Sequence, residues 1–450
     1  MALGKFDAEP TKEFFIHMLT RDIPLERAII DLIDNSIDGA KSVIEKSDGE
    51  IGFSNFHVDI TVNKNEFVIK DNCGGFSKKA ADEYAFKFGR PDEVNTELGK
   101  GGLVGRFGVG MKRALFKMGN YFIVESKFKD DHFIVEEDVS KWQGEVGKWE
   151  FDFRDANDEA PEGTTHKPIL ESDGTYIKVT NLNEAVKQDF TLTSFKNKMI
   201  SEIERTLNYT LESGLKITFN KQILKSEPIQ LLVSDDLKPY YYEETLGQVK
   251  IRIFAGVGEP NPNLAGWYIY CNDRLMVERD KTNLTGWEGG KKYYDDSGVQ
   301  KFHNKVAMFR GIVFFSSEDS TALPMTTTKW GIDVNSTIFK QTRNKMIFAM
   351  RSVLTDLNRL DNAEQRKYVV NQSNPVDIVG YQETKQDLSE EFKFPEIKKK
   401  DFGDEKALVS FRIKKELLDR VKKHLKVSTN GDAGEKTFYY YVEMKELDYE

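Results

Sequence analysis

The sequence predicts an α+β fold, and three stretches carry that expectation. In the first, Glu26 to Lys41, the apolar residues Ile29, Ile30, Leu32, Ile33, Ile37 and Ala40 recur at helical spacing. The second, Phe67 to Phe76, is an apolar strand that runs into Asp71 and Asn72 and then into Gly74 and Gly75. The third, Gly99 to Met118, is a glycine-rich loop that enters a helix. Around them, several segments alternate apolar and polar residues with the period of two that strands require.

Each stretch also carries polar chemistry that a plain core element would lack. Asp31, Asn35 and Asp38 stand at i, i+4 and i+7 of the first helix, so they stack on one face, flanked by isoleucines rather than lysines or arginines. A carboxylate and a carboxamide one turn apart suit a hydrated Mg²⁺, which keeps several waters and takes few protein oxygens. By itself the helix is equally compatible with an acidic solvated face. Glycines after Asp71 let backbone approach a flat ligand. A glycine-rich loop ahead of a helix is the usual setting in which backbone N–H groups cradle phosphate.

With 450 residues the chain is long enough for two or three domains, each with its own core. A net charge of −9 argues against a globally basic nucleic-acid binder and leaves only local basic patches for that purpose. Cys73 and Cys271 are the only cysteines, too few for a disulfide framework or a Cys-rich zinc site, and the six histidines show no ligand spacing. No signal pattern opens the chain and no apolar run approaches membrane-spanning length, so a reducing cytoplasm is the expected compartment.

In chain order, an N-terminal arm leads to a short amphipathic helix with Phe14, Phe15, Met18 and Leu19 along one side. Asp22 is a candidate N-cap and Pro24 falls in the first turn of the next helix, which is expected to begin near Ile23. Strands are expected near 55–62 and 66–70, a helix near 78–88, a mobile lid at 90–104, and antiparallel strands at 121–128, 131–136, 148–153 and 175–180. This first domain spans 1–185. A second, 186–370, begins with an amphipathic helix near 192–212 stopped by Gly214, then a hairpin turning at Asn220-Lys221, strands at 248–256, 267–271 and 309–315, and a helix from Ser336 to Leu360. Residues 371–405 read as a polar linker. In 406–450 a short alternating strand, 407–413, precedes two helices, 414–426 and about 433–446. Between Lys398 and Lys426 eleven basic residues face five acidic ones.

Taken in this order, the Asn-bearing helix, the Asp-Asn-x-Gly-Gly strand end and the Gly-x-x-Gly-x-Gly run of residues 105–110 resemble the nucleotide-binding set of the GHKL ATPases, the group of gyrase, the Hsp-ninety chaperones, histidine kinases and MutL. Arg106 to Gly119 looks most like the MORC branch and its prokaryotic relatives. The resemblance implies a Bergerat-type ATP-binding sandwich of helices on a mixed sheet, followed by a transducer-like α/β domain. It implies ATP and Mg²⁺ as ligands. Asn35 would hold the Mg²⁺, Asp71 would accept the adenine amino group, and Gly75 would pack beside the ring. Gly105, Gly108, Val109 and Gly110 would surround the phosphates with Lys112 near them, and Thr175 would support the adenine side. Asp31 stands where gyrase-like members carry the Glu that activates water. Its shorter side chain implies slow turnover. Cys73 replaces a glycine of the pattern, which forbids a positive φ there. Lys329, in Pro324 to Lys329, occupies the place of the transducer lysine that meets the γ-phosphate. On the bare sequence the more common fate of such a residue is a solvated surface lysine.

The function expected is an ATP hydrolase that works as an ATP-gated homodimeric clamp, acting on DNA. The rivals are a non-hydrolysing ATP-switched DNA-binding or scaffold protein and an Hsp-ninety-like chaperone. A histidine kinase ranks below both, because no phosphoacceptor helix precedes the ATP-binding stretch. The C-terminal strand-helix-helix resembles a ribbon-helix-helix module, with Ser410 and Arg412 as outward, DNA-facing positions; a simple dimerisation tail fits the same residues. Protein clients and neighbouring defence-system components are further candidate partners by resemblance alone.

Overall fold

The computed structural model describes residues 10–47, 51–88, 109–145, 147–162, 164, 166–287, 299–326, 331–360, 362–378, 389–397 and 409–445. They divide after Pro395 into two compact units. The α+β expectation holds: the first unit is built on an eight-stranded mixed sheet and a five-stranded mixed sheet, both covered by helices.

The first sheet forms around the predicted helix. Helix α1 (Lys12–Arg21) is followed by α2 (Leu25–Lys46), whose N-cap is Pro24 rather than the expected Asp22. The proline carbonyl accepts from the amides of Arg27 and Ala28, and Asp22 instead ends α1. The Ile and Leu stripe of α2 is fully buried against β1 (His57–Val62) and β2 (Glu66–Asp71). On both strands buried residues alternate with less buried ones, the period of a one-sided sheet. Helix α3 (Lys78–Ala80) runs into a π turn at Ala81–Ala85. Next come α4 (Gly110–Met118), β3 (Gly119–Phe128), β4 (Asp131–Asp138), α5 (Val139–Gly144), β5 (Phe153–Asp155) and β6 (Gly174–Leu182). The expected strand at 148–153 is reduced to the three residues of β5.

A boundary at 185 cuts through this unit. Past α6 (Glu184–Thr191), α7 (Thr193–Thr206) and α8 (Asn208–Glu212), β7 (Lys216–Phe219) joins the same sheet parallel to β1, and β8 (Gln222–Ile223) closes its edge. The sheet order is therefore β5-β4-β3-β6-β2-β1-β7-β8, and the apolar core runs without a break from Ile23 to Leu224. The β7–β8 hairpin turns where expected, with Asn220 and Lys221 at φ of 48° and 69°, the paired left-handed conformations of a type I′ turn.

The second sheet consists of β10 (Tyr240–Leu246), β11 (Val249–Val257), β14 (Phe309–Ser316), β12 (Gly266–Cys271) and β13 (Arg274–Asp280), in that spatial order. Helix α9 (Thr337–Arg359), close to the expected Ser336 to Leu360 and capped by the Ser336 side chain, packs on β11 and β14. The segment read as a linker is partly folded. The strand β15 (Asn374–Asp377) pairs antiparallel with β9 (Gln230–Val233), and Lys393 exchanges backbone hydrogen bonds with Lys238.

The second unit carries the helices Lys415–Leu425 and Asn430–Met444. The described residues 409–414 form no strand; a ribbon's N–H and C=O groups need a second edge, which another copy of the chain would supply. Ser410 and Arg412 are exposed there. Among the described residues of this unit only Ala433 is buried, whereas Val409, Phe411, Phe438, Tyr440 and Met444 are all more than half exposed.

Candidate nucleotide site

Helix α2 and the loop after β2 make the two walls of the site. The loop is fixed by backbone geometry: Gly74 and Gly75 adopt φ of 101° and 60°, and Cys73 adopts no positive φ, so the strain a cysteine would suffer is passed to the two glycines behind it. A Cβ on Gly75 would come within 2.2 Å of the Lys127 carbonyl oxygen, and one on Gly39 of α2 within 2.5 Å of the Cys73 carbonyl oxygen. Helix, loop and sheet thus meet at backbone distance, and glycine is required at both positions. Ser126 of β3 locks the next residue in place, donating to the Phe76 carbonyl at 2.9 Å and accepting from its amide at 2.8 Å.

Asp71 ends β2 in a buried pocket of donors. Its Oδ1 accepts from the backbone amides of Cys73 (2.9 Å) and Thr175 (3.1 Å), and its Oδ2 accepts from the Ser36 hydroxyl at 2.6 Å. The Thr175 contact follows from strand register, since Asp71 and Thr175 are directly paired across β2 and β6. Burial pushes the Asp71 carboxyl above its usual range in spite of these donors. An ionised oxygen accepts about two hydrogen bonds, so Oδ2 retains capacity for one further donor, and an exocyclic amine would relieve the cost of its burial. Asn72, by contrast, is structural: its side chain accepts from the His57 amide and donates to the Asn55 carbonyl.

At the other end of the site, Asp31 faces the first turn of α4. Gly110 is in van der Waals contact with it, the position of a Cβ there lying 3.7 Å from the carboxylate Oδ2. The N-cap of α4 is Val109, which provides no side-chain cap for the first N–H groups of this nine-residue helix, the end whose dipole favours an anion. Asn35, one turn beyond Asp31, is exposed while residues 31–34 and 36–38 of the same helix are buried. Asp31 itself is buried and ion-paired: Arg113 of α4 bonds its Oδ2, and Arg274 of β13 lies 4.0 Å from its Oδ1. This donor set suits a magnesium nucleotide, with an exposed carboxamide and open helix N–H groups at one end and a buried acceptor at the other.

Lys112 lies on a different face of α4 from Arg113. Helical phase turns it away from Asp31, and its ammonium donates to the Ala85 carbonyl at 2.7 Å and lies 5.5 Å from the Phe88 ring. Burial lowers its pKa to about 7. The neighbouring basic residue, Arg113, is the one that reaches the helix carrying Asn35. Gly105, Gly108 and Lys329, and with them the expected lid at 90–104, lie outside the described residues.

Beside the loop is a cavity of about 380 Å³ whose lining includes Gly39, Val43, Gly74, Gly75, Phe76 and Lys129. It adjoins the base end of the site, although neither Asn35 nor Asp71 is among the described residues that line it.

Sequence reasoning missed Ser36, Ser126, Arg113 and Arg274, and it took the histidines as ordinary. His166 and His132 in fact converge on Glu125 of β3, at 2.6 and 2.9 Å. Ser36 alone carried a usable signal, being adjacent to Asn35 on the helix; the others become visible only when β3, α4 and β13 are placed in space.

The fold is that of an α+β protein. Residues 23–155 match the family model of the histidine kinase-, DNA gyrase B- and HSP90-like ATPases. That match supports the GHKL superfamily for this segment and, at the level of the family, ATP binding and ATPase activity. No curated protein is matched by the chain. Among the described residues no helix is long and apolar enough to cross a membrane.

Proposed function

We propose that this chain is an ATP-gated dimeric clamp of the cytoplasm, nearest to the MORC branch, in which slow ATP hydrolysis resets the closed state. One observation carries the reading: Asp31 and Asn35 lie one turn apart on α2, Asp31 against the uncapped start of α4, while the same helix contributes Ser36 to the buried acceptor Asp71. A single helix thereby touches both ends of a nucleotide. Asn35 would hold Mg²⁺, whose role is to neutralise phosphate charge. Asp71 takes the adenine amino group, with Gly75 beside the ring and Thr175 supporting it. The N–H groups that begin at Val109 and Gly110 face the phosphates together with Gly105 and Gly108. Asp31 orients and deprotonates the attacking water. By resemblance, Lys329 would supply positive charge at the γ-phosphate.

Closure joins two copies, and the second unit is suited to hold them together at rest. Its exposed Val409, Phe411 and Ile413 alternate along an unpaired extended stretch, a pattern that pairing with the same stretch of another copy would bury. Ser410 and Arg412 then face outward, toward DNA. A second reading, ATP as a structural switch with negligible turnover, is favoured by the Arg113 bond to Asp31, which occupies an oxygen the base would need.

Light scattering without nucleotide, with ADP and with a non-hydrolysable ATP analogue, alongside a phosphate-release assay, separates these readings. Clamp action requires a mass increase with the analogue alone and measurable turnover. The same mass in all three states removes the clamp, and closure without phosphate release selects the switch.

A further inference from the structure

The β12–β13 hairpin of the second sheet reaches directly onto the nucleotide helix. Its turn residues Asn272 and Asp273 have φ of 46° and 69°, a tight type I′ turn that fixes Arg274 as the first residue of the returning strand. From there Arg274, 2% exposed, forms an ion pair with Asp34 of α2, which is fully buried, and stands 4.0 Å from Oδ1 of Asp31. Lys41, two turns further along α2, bonds the Asp273 carboxylate at 2.8 Å and the Asn272 carbonyl at 2.9 Å. The turn is in turn clamped to the end of β14: the Asn272 side chain accepts from the Ser317 amide at 2.9 Å and donates to its carbonyl at 3.0 Å. Beyond Ser317 the chain leads to Pro324 and on toward Lys329.

Two guanidiniums on separate elements therefore bracket one carboxylate. Arg113 bonds Oδ2 from α4, and Arg274 attracts Oδ1 from the second sheet. An aspartate has two torsions, so its two oxygens cannot be aimed independently; where Arg274 stands decides how far Oδ2 leans toward Arg113 and which lone pair is left toward the start of α4. We propose that Arg274 is a positioning residue for ATP hydrolysis: held by Asp34, it sets the orientation of the Asp31 carboxylate and makes that orientation depend on the placement of the β12–β13 hairpin. The inference rests on the reading of Asp31 as the base. The hairpin then links the second sheet to the chemistry by a route separate from Lys329.

The alternative is that Arg274 only fastens the second sheet to α2, as Lys41 does. Breaking either pair should then lower stability and turnover in parallel, because both join the same turn to the same helix. Only Arg274 reaches Asp31, which makes the two separable. The experiment compares Arg274→Lys and Lys41→Met in the full chain for melting temperature, ATP affinity by calorimetry, and kcat and KM for ATP. Lysine keeps a charge at Asp34, but on its flexible stem the ammonium does not reproduce the fixed position of Nη1, the nitrogen that faces both carboxylates. We expect Arg274→Lys to lower kcat by roughly tenfold to a hundredfold, the order seen when reacting groups are misplaced by about an ångström, with ATP affinity within about threefold of wild type. Lys41→Met should melt earlier and keep its kcat. If Arg274→Lys does not fold, the pair Arg274→Gln with Asp34→Asn, which removes both buried charges together, takes its place with the same expected loss of kcat. Wild-type kcat in the Arg274 variant, or an equal loss in Lys41→Met, overturns the positioning role alone. Absence of turnover in the wild type overturns it together with the hydrolase reading.

Discussion

Asp31 and Asp71 are both aspartates at 5% exposure, both close to α2, and the structure treats them in opposite ways. Asp71 is surrounded by neutral donors, two amides and a hydroxyl, all supplied within the first sheet and its covering helix. Asp31 is held by guanidinium groups, one from α4 and one from the second sheet. Neutral, rigid donors create an acceptor whose position does not change, which suits recognition of a flat base. Charged partners on two different elements create a carboxylate whose surroundings change whenever those elements move, which suits chemistry tied to domain motion. Under the proposed reading, the Asp71 end of the site is thus built for constancy and the Asp31 end for control.

The largest effect that breaks this contrast should come from Asp31→Asn. A carboxamide keeps the size but cannot take a proton from water, so turnover should fall by roughly 10²- to 10⁴-fold while ATP still binds; phosphate release and calorimetry read the two separately. Equal turnover in both proteins would move the base elsewhere. Asp71→Ala should act on affinity instead, weakening ATP binding by about 1–3 kcal/mol because donors on the base lose their partner, with kcat at saturating ATP little changed. An affinity for ATP equal to wild type would transfer base recognition to another group.

A smaller effect concerns Glu125, which holds the segment ahead of Gly174 to β3. Burial raises its pKa, but hydrogen bonds from His166, His132 and the amides of Leu170 and Ile169 outweigh this and bring it from the usual 4.5 to about 2. A depressed acid stabilises the fold above its unfolded pKa and loses that contribution as pH falls through the folded value. Wild type should therefore melt above Glu125→Gln at neutral pH, with the gap closing between pH 4.5 and about 2. A constant gap across that window would show that the histidine contacts do not stabilise the ionised form.

The difference between Asp31 and Asp71 also explains what was legible in the sequence. Asp71 and Gly75 could be singled out by motif because they sit in local backbone, a strand end and two left-handed glycines, and Thr175 because it belongs to a second short motif. Asn35 and Asp31 follow from helical spacing. The hairpin at Asn220-Lys221 was equally local. What could not be read depended on pairings distant in sequence. The parallel joining of β7 to β1 carries the first sheet past 185, and the pairing of β15 with β9 folds part of the expected linker. Lys112 and Arg113 are adjacent basic residues on α4, and the phase that sends one to the core and the other to Asp31 is set by packing against α2. Likewise Arg274 gave no signal in its strand, since its partners lie about 240 residues earlier.

Calorimetric titration of Mg-ATP into wild type and Asn35→Ala tests most directly whether α2 is the nucleotide helix. Asn35 is the exposed residue in a buried stretch of α2, while the carboxylates stacked with it, Asp31 and Asp38, are buried and the first is held by Arg113. Binding should be measurable in the wild type and lost in the variant, with the melting temperature of the free protein unchanged. Wild-type affinity in Asn35→Ala would contradict the placement of the nucleotide on this helix.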